Sequence, residues 1–143
     1  MNPVAARSIA PVSLASLPEY SPTTYVDFTR PEHRAAFEEA LARVRGELGR
    51  EYTIAVGGEI WKGEGTFESL NPARPSEIVG RFQSGTHEQA KRAIEVAHAA
   101  FAGWSRVPAA ERAAYLVEAA RRMRERRHDF SAWMVFEVGK SWA

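Results

Sequence analysis

The chain has 143 residues, a net charge of +1 from 19 Lys plus Arg against 18 Asp plus Glu, and no cysteine. The absent thiol excludes disulfide frameworks, thiolate zinc sites, cysteine-held iron–sulfur clusters and any cysteine nucleophile within these residues. With 45% apolar and 26% charged residues, the chain suits a soluble globular unit burying roughly 68–70% of its unfolded surface, and its balanced charge offers no general field for nucleic acid or anionic membrane.

The first 17 residues carry one Arg7 and an apolar stretch interrupted by Pro11, Ser13 and Ser16, too broken for a secretory signal. No run approaches the ~20 apolar residues of a membrane span, so a cytoplasmic location is expected. Pro3, Pro11, Pro18 and Pro22 are four of the eight prolines, and residues 1–28 show no sustained period. An extended or disordered arm is expected there.

Thr29 followed three residues later by Glu32 reads as a capping box, and Pro31 is tolerated in a first helical turn. Phe37, Ala40, Leu41, Val44 and Leu48 then share one helical face, with Gly49 where a C-terminal cap is expected. This pattern predicts a first helix over about Pro31–Leu48.

A β region follows. Tyr52–Val56 and Glu59–Lys62 flank Gly57-Gly58, a pair able to take the positive φ angles of a tight hairpin. Thr66–Leu70 and Glu77–Gln83 read as two further short strands, separated by a turn at Asn71-Pro72-Ala73-Arg74-Pro75.

Thr86 and Gln89 form a second capping box, behind which Ala90, Ala93, Ile94, Ala97, Phe101 and Trp104 share a face. A third helix opens near Pro108 and presents Ala109, Ala113, Leu116, Val117, Ala120 and Met123 as one stripe. Continued straight, that stripe buries Arg124 and Arg127, so burial stops or the helix breaks between Met123 and Asp129. From Phe130 to Val138 the segment is apolar on nearly every side, with Phe130, Trp133, Met134 and Val138 on one face. Such a segment is expected to be enclosed, and Glu137 within its stripe to need a buried partner. Only five residues follow Val138, which makes a larger protein, interrupted here, the expectation.

Candidate chemistry is sparse. Gly57-Gly58 has no third glycine at dinucleotide-binding spacing and leads into a strand, which favours a structural turn. Arg121, Arg122, Arg124, Arg126 and Arg127 form a dense basic run whose functional reading is phosphate or nucleic-acid binding. Without interleaved aromatics, and at a helix's C-terminal end, it reads better as a solvated or salt-bridged face. His33, His87, His98 and His128 lack metal-ligand spacing, and Ser69 and Ser131 lack a nucleophile elbow. No catalytic, cofactor-binding or metal residue is assigned.

In order, DFTRPEHRAAFEEALARVRGELGREY, AVGGEIW, SLNPARPSEIVGRF, HEQAKRAIEVAHAAFAGWSRVPAAERAAYLVEAARRMRERR and WMVFEVGKSW resemble the amino-terminal part of the aldehyde dehydrogenase superfamily. Asn71-Pro72 before a strand, Phe101-Ala102-Gly103-Trp104 and Pro108–Arg112 are similar to the superfamily at large. The long first helix and Glu137-Val138-Gly139-Lys140 resemble its 1-pyrroline-5-carboxylate (L-glutamate γ-semialdehyde) dehydrogenase branch. The resemblance spans about Asp27–Trp142. A longer proline-rich arm and Ile60-Trp61-Lys62 depart from it.

The resemblance implies an α/β protein, α+β in this portion: an amino-terminal helix, a short hairpin and strands, then two to three helices forming the opening layer of the NAD-binding domain. Residues 29–143 are then an incomplete part of that domain. In the family a cysteine thiolate attacks the aldehyde, hydride passes to NAD, and a glutamate-activated water hydrolyses the thioester. The resemblance places those groups outside this chain, including the family's catalytic glutamate, which Glu137 does not match. It therefore implies an NAD-dependent oxidoreductase of proline catabolism acting on a small molecule, with this chain alone inactive and binding no NAD. The alternative is a short non-catalytic interaction protein that associates, as a homo-oligomer or with a dehydrogenase, through Trp133, Met134 and Phe136. Neither nucleic acid nor membrane is an expected partner.

Overall fold

A computed structural model describes residue 17 and residues 19–142; most of the expected arm, residues 1–16, lies outside the described residues. The element order is α1 (Pro31–Arg45), β1 (Arg50–Tyr52), β2 (Ile54–Val56), β3 (Glu59–Trp61), β4 (Gly65–Asn71), β5 (Arg74–Ser84), α2 (His87–Trp104), α3 (Ala109–Glu125) and α4 (Arg127–Val138). The strands form one sheet in the order β1-β5-β4 and a separate β2-β3 ribbon, an α+β arrangement as expected. Two compact units result: one of Leu17 with residues 51–67 and 81–119, the other of residues 19–50, 68–80 and 120–142.

The second unit is built on α1 against α4. Phe37, Ala40 and Val44 recur at helical spacing on α1 and are 2%, 0% and 3% exposed. They meet Ala132 and Phe136 of α4 and Val79 of β5 in one cluster. Ala40 and Ala132 carry nothing beyond Cβ, which lets the two helices approach closely. Burying a side chain such as Phe37 contributes about 1.5–3 kcal/mol.

The start of α1 differs from the expected capping box. Its N-cap is Arg30, with no side-chain cap hydrogen bond. The Thr29 hydroxyl donates instead to Asp27 Oδ1 at 2.6 Å, and the Thr29 N–H donates to the same oxygen at 3.0 Å. A local carboxylate two residues upstream has captured the capping group. The helix also ends earlier than expected, at Arg45 with Gly46 as C-cap. Gly49 does not cap it; at φ 77° it turns the chain towards β1 while its N–H donates to Val79 O at 3.1 Å.

The segment expected as one strand from Tyr52 to Val56 divides at Thr53, with β1 joining the three-stranded sheet and β2 the ribbon. The hairpin is as read: Ile54 pairs with Trp61, Ala55 with Ile60 and Val56 with Glu59. Gly57 and Gly58 supply φ angles of 60° and 86° between them, as a primed turn requires. The β4–β5 link is tighter than the five-residue turn expected, because only Pro72 and Ala73 lie between the strands. Buried Asn71 closes it, accepting the Ala73 N–H at 2.9 Å and donating its amide to Glu77. Pro75 falls inside β5, in its first residues, where a missing donor is tolerated.

In the first unit, α2 opens with the predicted capping box: Thr86 Oγ1 accepts the Gln89 N–H at 3.1 Å and Gln89 Oε1 accepts the Thr86 N–H at 3.0 Å. The helix lies on the hairpin through Val96, whose Cγ1 is so close to Gly57 that a Cβ there would sit 2.9 Å away. Gln89 Nε2 adds a hydrogen bond to Lys62 O at 2.7 Å. The stripe of Ile94, Phe101 and Trp104 faces away from this contact and is exposed. On α3 Ala114 is buried and Ala113, Val117 and Ala120 of the predicted stripe are half-buried, whereas Ala109, Leu116 and Met123 are exposed; the covered face takes in only part of that stripe.

The break expected before Asp129 occurs at Arg126, which has φ −107° and ψ 23° between α3 and α4. Helix α4 starts at Arg127, three residues before the expected Phe130. Its covered face differs from the one expected. Ala132 and Phe136 are buried, whereas Phe130, Met134 and Val138 are exposed. Glu137 lies on the exposed side and needs no buried partner.

Candidate functional site

A cavity of about 850 Å³ lies within the second unit, bounded by residues 23–29, α1, α4 and the stretch after α4. Its apolar wall is an aromatic trio. Phe37 is centred 5.3 Å from Phe28 and 5.2 Å from Trp142, the latter edge-on, and Phe28 and Trp142 are 6.1 Å apart. Edge-on and tilted rings at these distances are favourable beyond the area they bury. Arg34, Arg127 and Lys140 bring positive charge to the lining, with Asp27 opposing them.

Electrostatics follow from this placement. Hydrogen bonds from the Thr29 hydroxyl and then its N–H hold the Asp27 carboxyl below its usual value. Desolvation pushes the His128 imidazole down, and the neighbouring Arg127 charge adds to that. His128 packs against the Phe37 ring at 6.0 Å, and both effects favour its neutral form. The cavity combines an aromatic wall with fixed cations, a chemistry suited to binding.

The other sequence candidates are placed as follows. The basic run is divided among carboxylates and rings: Arg121 pairs with Glu125, Arg126 Nε lies 3.4 Å from Asp129 and its guanidinium stacks over Phe130 at 5.7 Å, and Arg127 lines the cavity. This is the salt-bridged face. His33 Nδ1 is 3.0 Å from Asp27 O, and among the described residues no group of three His, Asp or Glu side chains is placed to hold a metal ion. Trp133, Met134 and Phe136 do not form one exposed surface, because Phe136 is 4% exposed in the core with Arg45 over its ring at 5.3 Å. Phe136 is thereby corrected from an association residue to a core residue. The cavity itself was not read from the sequence; its lining comes from four separated segments, and only the α1–α4 packing brings them together.

Two local features resemble parts of a phosphate cradle only superficially. Gly57-Gly58 runs into β3 and not into a helix, and the Gln89 N–H in the first turn of α2 is taken by its own capping box, so neither forms a pyrophosphate cradle. Among the described residues no helix is long and apolar enough to cross a membrane.

Comparisons with known proteins agree with this architecture. A family profile described as "Aldehyde dehydrogenase family" matches residues 61–143. The chain is 44% identical over 126 residues to 1-pyrroline-5-carboxylate dehydrogenase 1 of Halalkalibacterium halodurans, covering 88% of this chain and 24% of that protein. It is 46% identical over 116 residues to 1-pyrroline-5-carboxylate dehydrogenase of Geobacillus kaustophilus, covering 81% and 22%. The fold is similar, with a TM-score of 0.84 and 38% identity, to a 1-pyrroline-5-carboxylate dehydrogenase from Thermus solved with bound NAD, over 89% of this chain and 25% of that one. The chain thus spans about a quarter of the length of the relatives it matches. On the profile match across more than half of its residues, the chain belongs to the aldehyde dehydrogenase family.

Proposed function

We propose that this chain is the amino-terminal portion of an NAD-dependent 1-pyrroline-5-carboxylate dehydrogenase, a cytoplasmic enzyme of proline catabolism that oxidises L-glutamate γ-semialdehyde to L-glutamate. In this reading residues 29–143 begin the NAD-binding domain and residues 1–28 are an arm preceding it. The observation that carries it is the likeness to the Thermus enzyme, 38% identity at a TM-score of 0.84 over 89% of this chain. NAD and substrate are then held by residues outside this chain, which assigns none of its own to catalysis, to cofactor or to metal, and the chain alone does not turn over.

The test is the reading frame in the source DNA past codon 143. The expected continuation encodes the remaining three quarters of a dehydrogenase, with a cysteine as the nucleophile. An immediate in-frame stop in intact DNA overturns the reading and leaves a short interaction protein.

A further inference from the structure

We propose that the cavity bounded by residues 23–29, α1, α4 and the stretch after α4 is a binding site for a planar aromatic acid, whose ring lies against Phe28 and Trp142 and whose carboxylate is received by Arg127 and Lys140. The site adds a ligand class to the chain and stands independently of the function proposed above.

The cavity volume of about 850 Å³ is within the roughly 300–1,000 Å³ of small-molecule sites. Its lining residues all belong to one of the two compact units, so the site lies wholly within that unit. Phe37, 2% exposed, anchors the aromatic wall in the core, and Trp142 keeps 41% of its surface exposed. The rings of Phe28, Phe37 and Trp142 are inclined to one another by 45°, 68° and 75°. None lies flat on another, so they form a corner and not a closed stack. A flat ring entering that corner gains edge-to-face contacts beyond the area it buries, which an aliphatic body does not.

The head group is set by charge. Arg34, Arg127 and Lys140 share the lining with a single carboxylate, Asp27. Asp27 is already engaged, because the Thr29 hydroxyl and N–H both donate to its Oδ1. Asp129, two residues from Arg127, is held by Arg43 at 2.9 Å and by Arg126 at 3.4 Å. The carboxylates at hand are thus committed elsewhere, and the cationic surplus of the cavity is left to an anion from solution.

The cations are also positioned. Arg34 Nη2 donates to Phe28 O at 3.4 Å, which leaves other N–H groups of its guanidinium in the lining. Lys140 follows the C-cap of α4, where Gly139 takes φ 67° and the Lys140 N–H donates to Met134 O at 3.3 Å. Groups fixed before binding lose little freedom when the ligand arrives. Charge-assisted hydrogen bonds to such cations favour an anion over a neutral ligand, and the aromatic corner favours a ring over a bare anion.

The test is titration of the purified 143-residue chain with naphthalene carboxylate, read by calorimetry and by NMR of the indole N–H groups. The expected result is saturable one-to-one binding that moves the Trp142 resonance and leaves those of Trp61 and Trp104, in the other unit, in place. Naphthalene carboxamide, the same ring without the charge, is expected to bind at least about tenfold more weakly. Acetate, the charge without the ring, is expected not to compete at equal concentration. Arg127→Gln with Lys140→Gln is expected to weaken the carboxylate at least about fivefold and to leave the carboxamide unchanged, whereas Lys91→Gln on α2 changes neither. Should circular dichroism show that the double variant has lost the parent fold, the comparison of the two ligands on the parent chain decides alone. Equal affinity for carboxylate and carboxamide overturns the proposal, as does a folded double variant that binds as the parent does, or a shift at Trp104 in place of Trp142. Absence of saturable binding, from an ordered chain or a disordered one, overturns it too. No readout is an activity, so the outcome is separate from that of the proposed function.

Discussion

Arg43 of α1 reaches across to Asp129 in the first turn of α4, its Nη2 donating to Oδ1 at 2.9 Å over a separation of 86 residues. Asp129 also receives Arg126 Nε at 3.4 Å and sits at a helix N-terminus, where negative charge is favoured. The hydrogen bond from Arg43 is the first cause holding its carboxyl below the usual value.

That pair predicts an acid-labile increment of stability. The folded pKa of Asp129 is lowered, so its contribution is fully present above the unfolded carboxylate pKa of about 3.9 and is lost as pH falls through the lowered folded value. Both side chains keep solvent contact, which limits the pair to about 1 kcal/mol or less. Urea titration of Asp129→Asn is expected to show that deficit at neutral pH and to converge on the wild type in strong acid. An equal deficit at every pH would assign the effect to packing.

His128 predicts pH dependence in a different window. Its folded pKa is depressed, chiefly by desolvation and then by Arg127, His33 and Arg43, with Asp129 opposing. Stability from the neutral ring is complete above the unfolded imidazole pKa of about 6.5 and declines as pH falls from there towards the folded value. In an NMR titration His128 is expected to change charge below the free imidazole value, and His128→Gln to flatten the stability profile through that range. A midpoint at or above the free imidazole value contradicts the burial of this ring against Phe37.

Phe37 joins the core to the aromatic wall of the cavity. Phe37→Ala removes the ring packed on Phe28, Trp142 and His128 and is expected to cost about 3–5 kcal/mol. Chemical denaturation measures this, and a loss below about 1 kcal/mol would show that the α1–α4 core is not the main source of stability.

Gly57 and Gly58 separate backbone strain from steric conflict. Both have positive φ, but an added Cβ at Gly57 meets Val96 Cγ1 at 2.9 Å and one at Gly58 meets nothing within 4 Å. Gly58→Ala is expected to cost about 1–2 kcal/mol from backbone strain alone, and Gly57→Ala more. Val96→Ala is expected to return part of the Gly57→Ala loss, as a coupling of about 0.5–1 kcal/mol in a double-mutant cycle. Strict additivity would mean that α2 does not rest on the hairpin.

Local chemistry was legible where one residue type meets one demand. The Thr86–Gln89 capping box, the Gly57-Gly58 turn and the break at Arg126 each follow from a single requirement: an unsatisfied N–H, a positive φ, or a charge that resists burial. Thr29 has the same spacing as Thr86, yet Asp27 competes for its hydroxyl, a contest that a four-residue motif does not reveal. The covered face of α4 was misread because Phe130 to Val138 is apolar all round. Packing on Ala40 selects the small Ala132 and the ring of Phe136, and this choice lies in the partner helix. The cavity was illegible for the same reason, since Phe28, Phe37, His128 and Trp142 become neighbours only in the folded unit.

The central claim, that this chain is one part of a 1-pyrroline-5-carboxylate dehydrogenase, is tested most directly by the turnover of a fusion that joins it, after Trp142, to the part of the Geobacillus kaustophilus enzyme that it does not match. The account predicts NAD-dependent oxidation of L-glutamate γ-semialdehyde within about tenfold of the intact enzyme's kcat/KM, equivalent to about 1.4 kcal/mol in transition-state stabilisation, and none from the 143-residue chain alone. A folded, soluble fusion that binds NAD but does not oxidise the semialdehyde, or turnover by the isolated chain, would contradict it.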